Sequence, residues 1–368
     1  MPSFFSFEIL LVSIAAVVVL CYKVFLLLGL KGRKLLMDET TQVSVSVVIA
    51  AKNELKNLSK HIPLWMRQKN VEFEVIVVND RSWDQSEKIL KRFSDQYPNF
   101  SFSTVTENMQ VWEGKKFALT LGIKKAKYNY ILVTDADCYP NREDLVAEVA
   151  KHLANRGNLV LGYAPFSRSK GILGWIQQFE NLRTAISYYA TAMRFKPYMG
   201  VGRFMAYSKE LYQSVGGFKS HYQIPFGDDD LFVQSVKKVA KVSCVHPSFQ
   251  VISEPKITFI SWWKQRTRHL KSGAFYGWDT KIFLSIPFLF LILFYSGIGY
   301  LLLTGVNLIG VAMVLGGYYI ASMAFGFIAG KFFSRASLGI FAPFMELIIL
   351  ISHPLIYLSG KRKTKANW

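Results

Sequence analysis

Lys127-Tyr128-Asn129-Tyr130-Ile131-Leu132-Val133-Thr134-Asp135-Ala136-Asp137-Cys138-Tyr139-Pro140 sets how the rest of the chain is read. Tyr130 to Val133 is a short apolar run rich in β-formers and predicts a buried strand. Two carboxylates one residue apart, Asp135 and Asp137, follow it, and Pro140 turns the chain. Open α/β sheets bind their ligands where a strand ends in a loop. Paired carboxylates at such a point repel each other unless a positive charge lies between them. A hard divalent cation, Mg²⁺ or Mn²⁺, takes one or two carboxylates and completes its shell with water and phosphate oxygens. Taken alone, the tripeptide also fits a solvated polar turn, because Asp-x-Asp is common.

Upstream, Val43 to Ala51 predicts an opening strand, followed by the polar Lys52-Asn53-Glu54 and by helical spacing over 55–68. Glu74 to Val78 predicts a second strand, ending in Asn79-Asp80-Arg81-Ser82-Trp83-Asp84. A helix over 85–97, a strand from Phe100 to Val105 and a helix opening at Trp112-Glu113-Gly114-Lys115 complete the pattern. This alternation predicts an α/β fold with a mostly parallel sheet and helices on both faces. The first strand is not followed by Gly-x-Gly-x-x-Gly, and there is no Gly-x-x-x-x-Gly-Lys, which disfavours dinucleotide binding and ATP hydrolysis. Asp80 lies past a strand on the same predicted edge as Asp135. There it can accept hydrogen bonds from a nucleotide's base or ribose, or cap the following helix.

The 368-residue chain is 51% hydrophobic and 15% aromatic, with the excess at its two ends, and carries a formal charge of +19. That charge suits an anionic partner, either a membrane surface or a phosphorylated substrate. With no zinc-finger spacing and no ribonucleoprotein aromatic signature, nucleic acid is set aside. Cys21, Cys138 and Cys244 are far apart and fit a reducing compartment. Residues 4–30 are long and apolar enough for an uncleaved anchor, and Lys31, Arg33 and Lys34 behind it place the next domain in the cytoplasm. Residues 282–303 and 306–330 read as two further spans joined by a tight turn at Thr304-Gly305. The apolar segment 338–358 carries Pro343, Glu346, His353 and Pro354. Simple alternation would put Lys361-Arg362-Lys363 outside, against the positive-inside rule. Either that segment is re-entrant or interfacial, or the rule yields. Glu346 is a functional candidate by its placement, or a lipid-facing accident near the interface. Three or four spans are few for a channel unless chains associate as a homo-oligomer.

Between these ends, residues 172–193 have the apolar spacing of an amphipathic helix that either packs on the core or lies on a membrane surface. Gly200-Val201-Gly202-Arg203 allows close backbone approach to a ligand. Gly227-Asp228-Asp229-Asp230 precedes an apolar helical run and offers an N-cap or a carboxylate base. Phe259 to Lys271 mixes Trp262 and Trp263 with Lys264, Arg266 and Arg268, which suits a membrane interface or a phosphate grip.

Together these pieces resemble the membrane-bound glycosyltransferases of family 2, the processive and lipid-directed group, over about residues 44–275. The matching motifs are Val47-Val48-Ile49-Ala50-Ala51-Lys52-Asn53-Glu54, Asn79-Asp80-x-Ser82, Gly114-Lys115, Asp135-Ala136-Asp137, Gly216-Gly217-Phe218, the acidic group before Leu231, and Gln265-x-x-Arg268. The resemblance implies a GT-A nucleotide-sugar domain with a mixed, mostly parallel sheet, flanked by N- and C-terminal transmembrane helices. It divides the chain into an anchor (1–34), a cytoplasmic catalytic domain (35–256), an amphipathic interfacial segment (257–281), C-terminal membrane helices (282–360) and a basic tail (361–368), in a bacterial inner membrane. It implies an inverting transfer from a nucleotide-diphosphate sugar, a UDP-sugar in the first instance, to a lipid or glycan acceptor, with a divalent cation. Asp80, Lys115, Asp135, Gln265 and Arg268 fall at donor-binding positions, and Asp135 and Asp137 at the metal. Counting back from Leu231 puts the general base at Asp228, with Asp229 next in line. Gly202, Arg203 and His269 fall on the acceptor side. His269 stands where the polymer-forming members carry Trp, which counts against a processive polymerase. A polysaccharide synthase that secretes its product and a silent nucleotide-sugar-binding membrane protein are the competing readings.

Overall fold

The computed structural model describes residues 7–32, 43–106, 114–155 and 157–359. Arg33 and Lys34, the Trp112-Glu113 start of the fourth expected helix and the basic tail lie outside the described residues. The chain opens with α1 (Phe7–Leu30), β1 (Val45–Ala51), α2 (Leu55–Trp65), β2 (Phe73–Asp80), α3 (Ser86–Gln96) and β3 (Phe100–Val105). It continues through α4 (Lys115–Lys125), β4 (Tyr130–Asp135), β5 (Cys138–Pro140), α5 (Leu145–Asn155), β6 (Leu159–Leu161) and α6 (Ile172–Arg194). Then come β7 (Met205–Ser208), α7 (Lys209–Ser214), α8 (Asp230–Val236), β8 (Val242–Cys244), β9 (Val251–Ser253) and α9 (Phe259–Ser272). It closes with α10 (Trp278–Thr304), α11 (Leu308–Phe332), α12 (Ala336–Ile340) and α13 (Ala342–Ser359).

Seven strands form one sheet in the order β3-β2-β1-β4-β7-β6-β8. β1 pairs in parallel with β2 and β4, and β2 with β3, while β7 runs antiparallel to both β4 and β6. The sheet is therefore mixed and mostly parallel, as expected. Every residue of β1 is buried, the pattern of a central strand covered on both faces. Its register sets Ala51 against Asn79 and Ala50 against Asp135, so Asp80 and Asp135 end the two strands that flank it. The short strands β5 and β9 pair antiparallel and close the turn behind Asp137.

One face of the sheet packs on α2, α3 and α5 through Leu58, Trp65, Phe93 and Val149. The other packs on α4, α6 and α8, and this core runs on without a break into Leu26 and Leu30 of α1 and into Ala329 and Phe333 at the end of α11. Of the two readings of residues 172–193, core packing holds. Phe179, Leu182, Ile186 and Tyr189 are buried, each such side chain contributing about 1.5–3 kcal/mol of burial. A Cβ on Gly29 would lie 2.6 Å from Ala190 O, so the lack of a side chain lets α1 lie directly on α6.

Among the described residues four helices, α1, α10, α11 and α13, are long and apolar enough to cross a membrane. α10 and α11 are joined by a tight turn, with Gly305 at φ +67° and Asn307 capping Gly310 N at 3.0 Å. The α12–α13 segment behaves differently. Just before it, Arg335 Nη1 donates to Gln178 Oε1 at 3.4 Å, and near its end His353 Nε2 lies 3.3 Å from Glu180 Oε1. The segment thus leaves α6 and returns to α6. Glu346 does not face outward. It pairs with Lys23 at 2.9 Å and accepts from Tyr318 OH at 2.8 Å, while Lys23 also donates to Ser322 Oγ at 2.6 Å. Two opposite charges so far from water satisfy each other and tie α1, α11 and α13 together.

Candidate active site

At the carboxyl edge of the sheet, α4 begins behind Gly114 and aims its first side chain across the crevice. Lys115 Nζ lies 2.8 Å from Asp135 Oδ1 and 2.6 Å from Asp228 Oδ2. The next residue points the other way: Lys116 Nζ donates to the carbonyls of His221 at 2.6 Å and Ile224 at 2.9 Å, fastening the loop that leads to the aspartates.

The three aspartates have separate tasks. Asp229 is the N-cap of α8, its Oδ1 accepting from Asp230 N at 2.8 Å and its Oδ2 from Gly202 N at 2.8 Å. Asp230 is buried, accepting from Leu231 N at 2.7 Å and Tyr276 OH at 2.6 Å. Asp228 alone faces Lys115 and the crevice. Gly202 forms the crevice wall, since a Cβ there would sit 3.1 Å from both Asp228 Oδ2 and Lys115 Nζ.

The acidic turn is held from behind by α2. His61 Nδ1 lies 3.2 Å from Ala136 O, and Trp65 Nε1 donates to Cys138 O at 3.0 Å. Asp135, Asp137 and Cys138 place one ligand atom each within 4.8 Å of one another. Cys138 Sγ donates to Asp137 Oδ1 at 3.2 Å, and burial followed by the charges of Asp137 and Asp135 drives its thiol well up. The sulfur therefore stays protonated, leaving the two carboxylates as the ligands a hard cation favours. Residues 46–216 match the family model described as Glycosyl transferase family 2.

Those residues form a family 2 glycosyltransferase domain.

Among relatives, the chain is 30% identical over 118 residues to a 4,4'-diaponeurosporenoate glycosyltransferase of Staphylococcus haemolyticus, covering 32% of this chain and 30% of that protein. It is 24% identical over 261 residues to a poly-beta-1,6-N-acetyl-D-glucosamine synthase of Staphylococcus epidermidis, covering 65% of this chain and 57% of that one. The chain thus spans less than two thirds of the length of these curated relatives. Among solved structures, a mannosyltransferase from Pyrobaculum calidifontis in complex with GDP-Man and Mn²⁺ superposes with a TM-score of 0.61 at 18% identity, over 95% of this chain and 100% of that one. That likeness establishes the GT-A fold.

In this glycosyltransferase domain the crevice charges are unevenly set. Burial pushes Asp135 up, but Lys115, Arg203 and Lys256 outweigh it and hold the carboxyl below its usual range. Burial also pushes Asp228 up, and there Asp229 and Asp135 add to it against the single opposing charge of Lys115, leaving Asp228 raised. Lys115, flanked by these carboxylates, is held well above the usual lysine range in spite of burial. Arg203 is half-buried with its guanidinium 4.5 Å from the Phe166 ring centre. His269 is in the last turn of α9, and desolvation, with the positive charges of Arg266, Arg268 and Arg203 added to it, lowers its pKa. Gln265 is half-buried and Arg268 exposed, and Arg268 makes no ion pair among the described residues.

Asp80 sits on the expected edge but is closed off. Its side chain is 0% exposed, Oδ1 is bound by Arg81 at 2.6 Å, and Oδ2 is buried without a hydrogen-bond partner. It does not cap α3, whose N-cap is Gln85. Sequence reading missed three contributors, His61, Trp65 and Lys256, and gave no role to Glu54, whose carboxyl is raised by burial and by Asp137 and Asp135. His61 and Trp65 are one helical turn apart, which could have marked a shared face. Nothing local ties Lys256 to the acidic turn.

Proposed function

We propose that the chain is a membrane-bound inverting glycosyltransferase that moves a sugar from a nucleotide-diphosphate donor, a UDP-sugar in the first instance, to a lipid or glycan acceptor. The observation that carries this reading is the Lys115 bridge between Asp135, at the end of β4, and Asp228, ahead of α8. It puts the donor-side carboxylate and a raised carboxyl in one crevice. Asp228 Oδ accepts the proton of the acceptor hydroxyl as that oxygen attacks the anomeric carbon, and the bond to the diphosphate breaks on the opposite face. The nucleoside diphosphate leaves with the bonding electrons, and the anomeric centre inverts. Lys115 and Arg268 meet the negative charge growing on the leaving group. Asp229, spent on two backbone N–H groups, holds Gly202 in place and leaves the base role to Asp228. Gly202, Arg203 and His269 border the acceptor side, while Gln265 completes the donor side and Asp80, closed under Arg81, supports that edge from behind.

Asp137, with Asp135, would hold a divalent cation, Mg²⁺ or Mn²⁺, and the Mn²⁺ in the Pyrobaculum calidifontis complex supports that choice. Such an ion supplies neutralisation of the diphosphate. The α12–α13 segment, leaving and returning on the catalytic side, is read as re-entrant and leaves three full spans. Lys31 behind α1 and Lys331 at the end of α11 then lie on the catalytic side, which suits a cytoplasmic domain in a bacterial inner membrane.

The match to a poly-beta-1,6-N-acetyl-D-glucosamine synthase favours a second reading, a processive synthase that also secretes its polymer. The purified full chain, supplied with UDP- and GDP-sugars and with or without membrane lipid extract, tests both. Acceptor-dependent release of nucleoside diphosphate supports transfer, and its absence with every donor overturns it. Product of one added sugar supports single transfer, and long product supports the synthase.

A further inference from the structure

A cavity of about 150 Å³ lies where α1, α6, α10 and α13 meet. From α6 it is lined by Arg183, Thr184 and Ser187 together with the apolar Phe179, Leu182 and Ile186. Leu284, Pro287 and Phe288 of α10 and Phe325 of α11 add further apolar lining. Lys23 and Glu346 also line it, but they satisfy each other and Tyr318, so neither calls for a charged ligand. Arg183 is different: it is exposed at this wall and makes no ion pair among the described residues. An apolar cavity of this volume takes a benzene-sized group, hence a few carbons of a chain and not a whole lipid.

We propose that this cavity seats a stretch of one aliphatic chain of an anionic membrane lipid, whose negatively charged headgroup binds the Arg183 guanidinium. The lining offers partners for both halves of such a molecule: apolar side chains from α6, α10 and α11, and on α6 an exposed arginine that makes no ion pair among the described residues. A planar guanidinium takes a phosphate or carboxylate through two parallel hydrogen bonds. The chain's charge of +19 favours an anionic over a zwitterionic headgroup. The site also lies close to the crevice along the chain. Tyr198 lines the cavity, and Gly202, four residues later, lies against Asp228, so the two are at most about 14 Å apart along the chain. A lipid seated here is held next to the acceptor side. This inference rests on the membrane-bound transferase reading, and names a lipid site for it.

The full chain in phosphatidylcholine nanodiscs is irradiated with phosphatidylglycerol or phosphatidylcholine carrying a diazirine on one acyl chain, and the labelled peptides are mapped by mass spectrometry. Labelling around 182–198 and 284–291 is expected, about fivefold stronger with the anionic probe. Thr184→Trp, which fills the cavity, should remove that labelling, and Arg183→Gln, at an exposed position, should level the two probes. Both variants are first required to be monodisperse with unchanged melting temperature. Equal labelling by the two probes in the parent chain overturns the proposal, as does labelling that survives Thr184→Trp. Nucleoside diphosphate release in the same discs separates this result from the transferase reading. Release without cavity labelling overturns the lipid seat alone, and labelling without release under any donor overturns only the transferase.

Discussion

Lys115 Nζ lies 2.6 Å from Asp228 Oδ2, at the meeting of two segments more than a hundred residues apart in the chain. The contact joins the start of α4 to the loop before α8 and so assembles the crevice. It also makes Asp228 the aspartate of its triplet that pairs with a lysine instead of backbone N–H groups.

Asp228→Asn removes the proton acceptor while keeping shape, so transfer should fall about 10²–10⁴-fold with donor affinity within about threefold of the parent. Asp229→Asn keeps one oxygen for a backbone N–H and should cost less in rate and more in melting temperature. Initial rates of nucleoside diphosphate release and calorimetric donor binding check both. The assignment is off by one residue if the larger rate loss goes to Asp229.

Asp228 accepts a proton only when ionised, and burial with Asp229 and Asp135 raises its pKa. Activity should therefore fall as pH drops through a value above the ordinary carboxylate pKa of about 3.9. Lys115 is the charge that opposes this rise, so in Lys115→Met the acid limb should move to higher pH. A pH profile of kcat/KM for both proteins reads the shift directly; an unmoved limb means that another group titrates.

Gly202→Ala places a methyl 3.1 Å from both partners of the Lys115–Asp228 pair. Something must yield by a few tenths of an ångström, and the pair is the softer side. A loss of about tenfold in kcat is expected, with KM for the donor nearly unchanged. Steady-state kinetics decide it, and a change confined to donor KM would place Gly202 elsewhere in the reaction.

His61 holds the carbonyl between the two aspartates of the turn. His61→Ala should loosen Asp137 and weaken half-saturation by Mn²⁺ about 10–100-fold, as loss of a group supporting a metal ligand does. Titration of Mn²⁺ against activity and against intrinsic fluorescence checks it; an unchanged midpoint would assign His61 to packing alone.

Glu180 is 4% exposed and pairs with Arg266 at 3.1 Å and His353 at 3.3 Å, while Trp262 Nε1 donates to it at 3.2 Å. Glu180→Ala leaves Arg266 without its partner and should destabilise the chain by about 3–5 kcal/mol. Freed from α6, the ends of α9 and α13 should become open to protease. Thermal unfolding with limited proteolysis tests this; unchanged cleavage near 353–359 would mean that apolar packing alone seats α13.

Much of the fold was legible in the chain because its signals are local. The β1, β2 and β4 runs carry enough Val and Ile to be read as buried strands, and the terminal helices are long and apolar enough to cross a membrane. Asp135 and Asp137 stood out because two charges beside a buried strand need compensation. By itself, then, the sequence determined the alternation of strands and helices, the apolar ends and the chemical types gathered near the acidic turn. Only the tertiary structure decided which groups meet. It turned Lys115 into the crevice and Lys116 away from it, gave Asp229 to the backbone and Asp228 to the crevice, closed Asp80 under Arg81, and brought Arg335 and His353 back to one helix. Periodicity and propensity act over a few residues, whereas these choices depend on charges and hydrogen bonds between segments that become neighbours only after the sheet has formed.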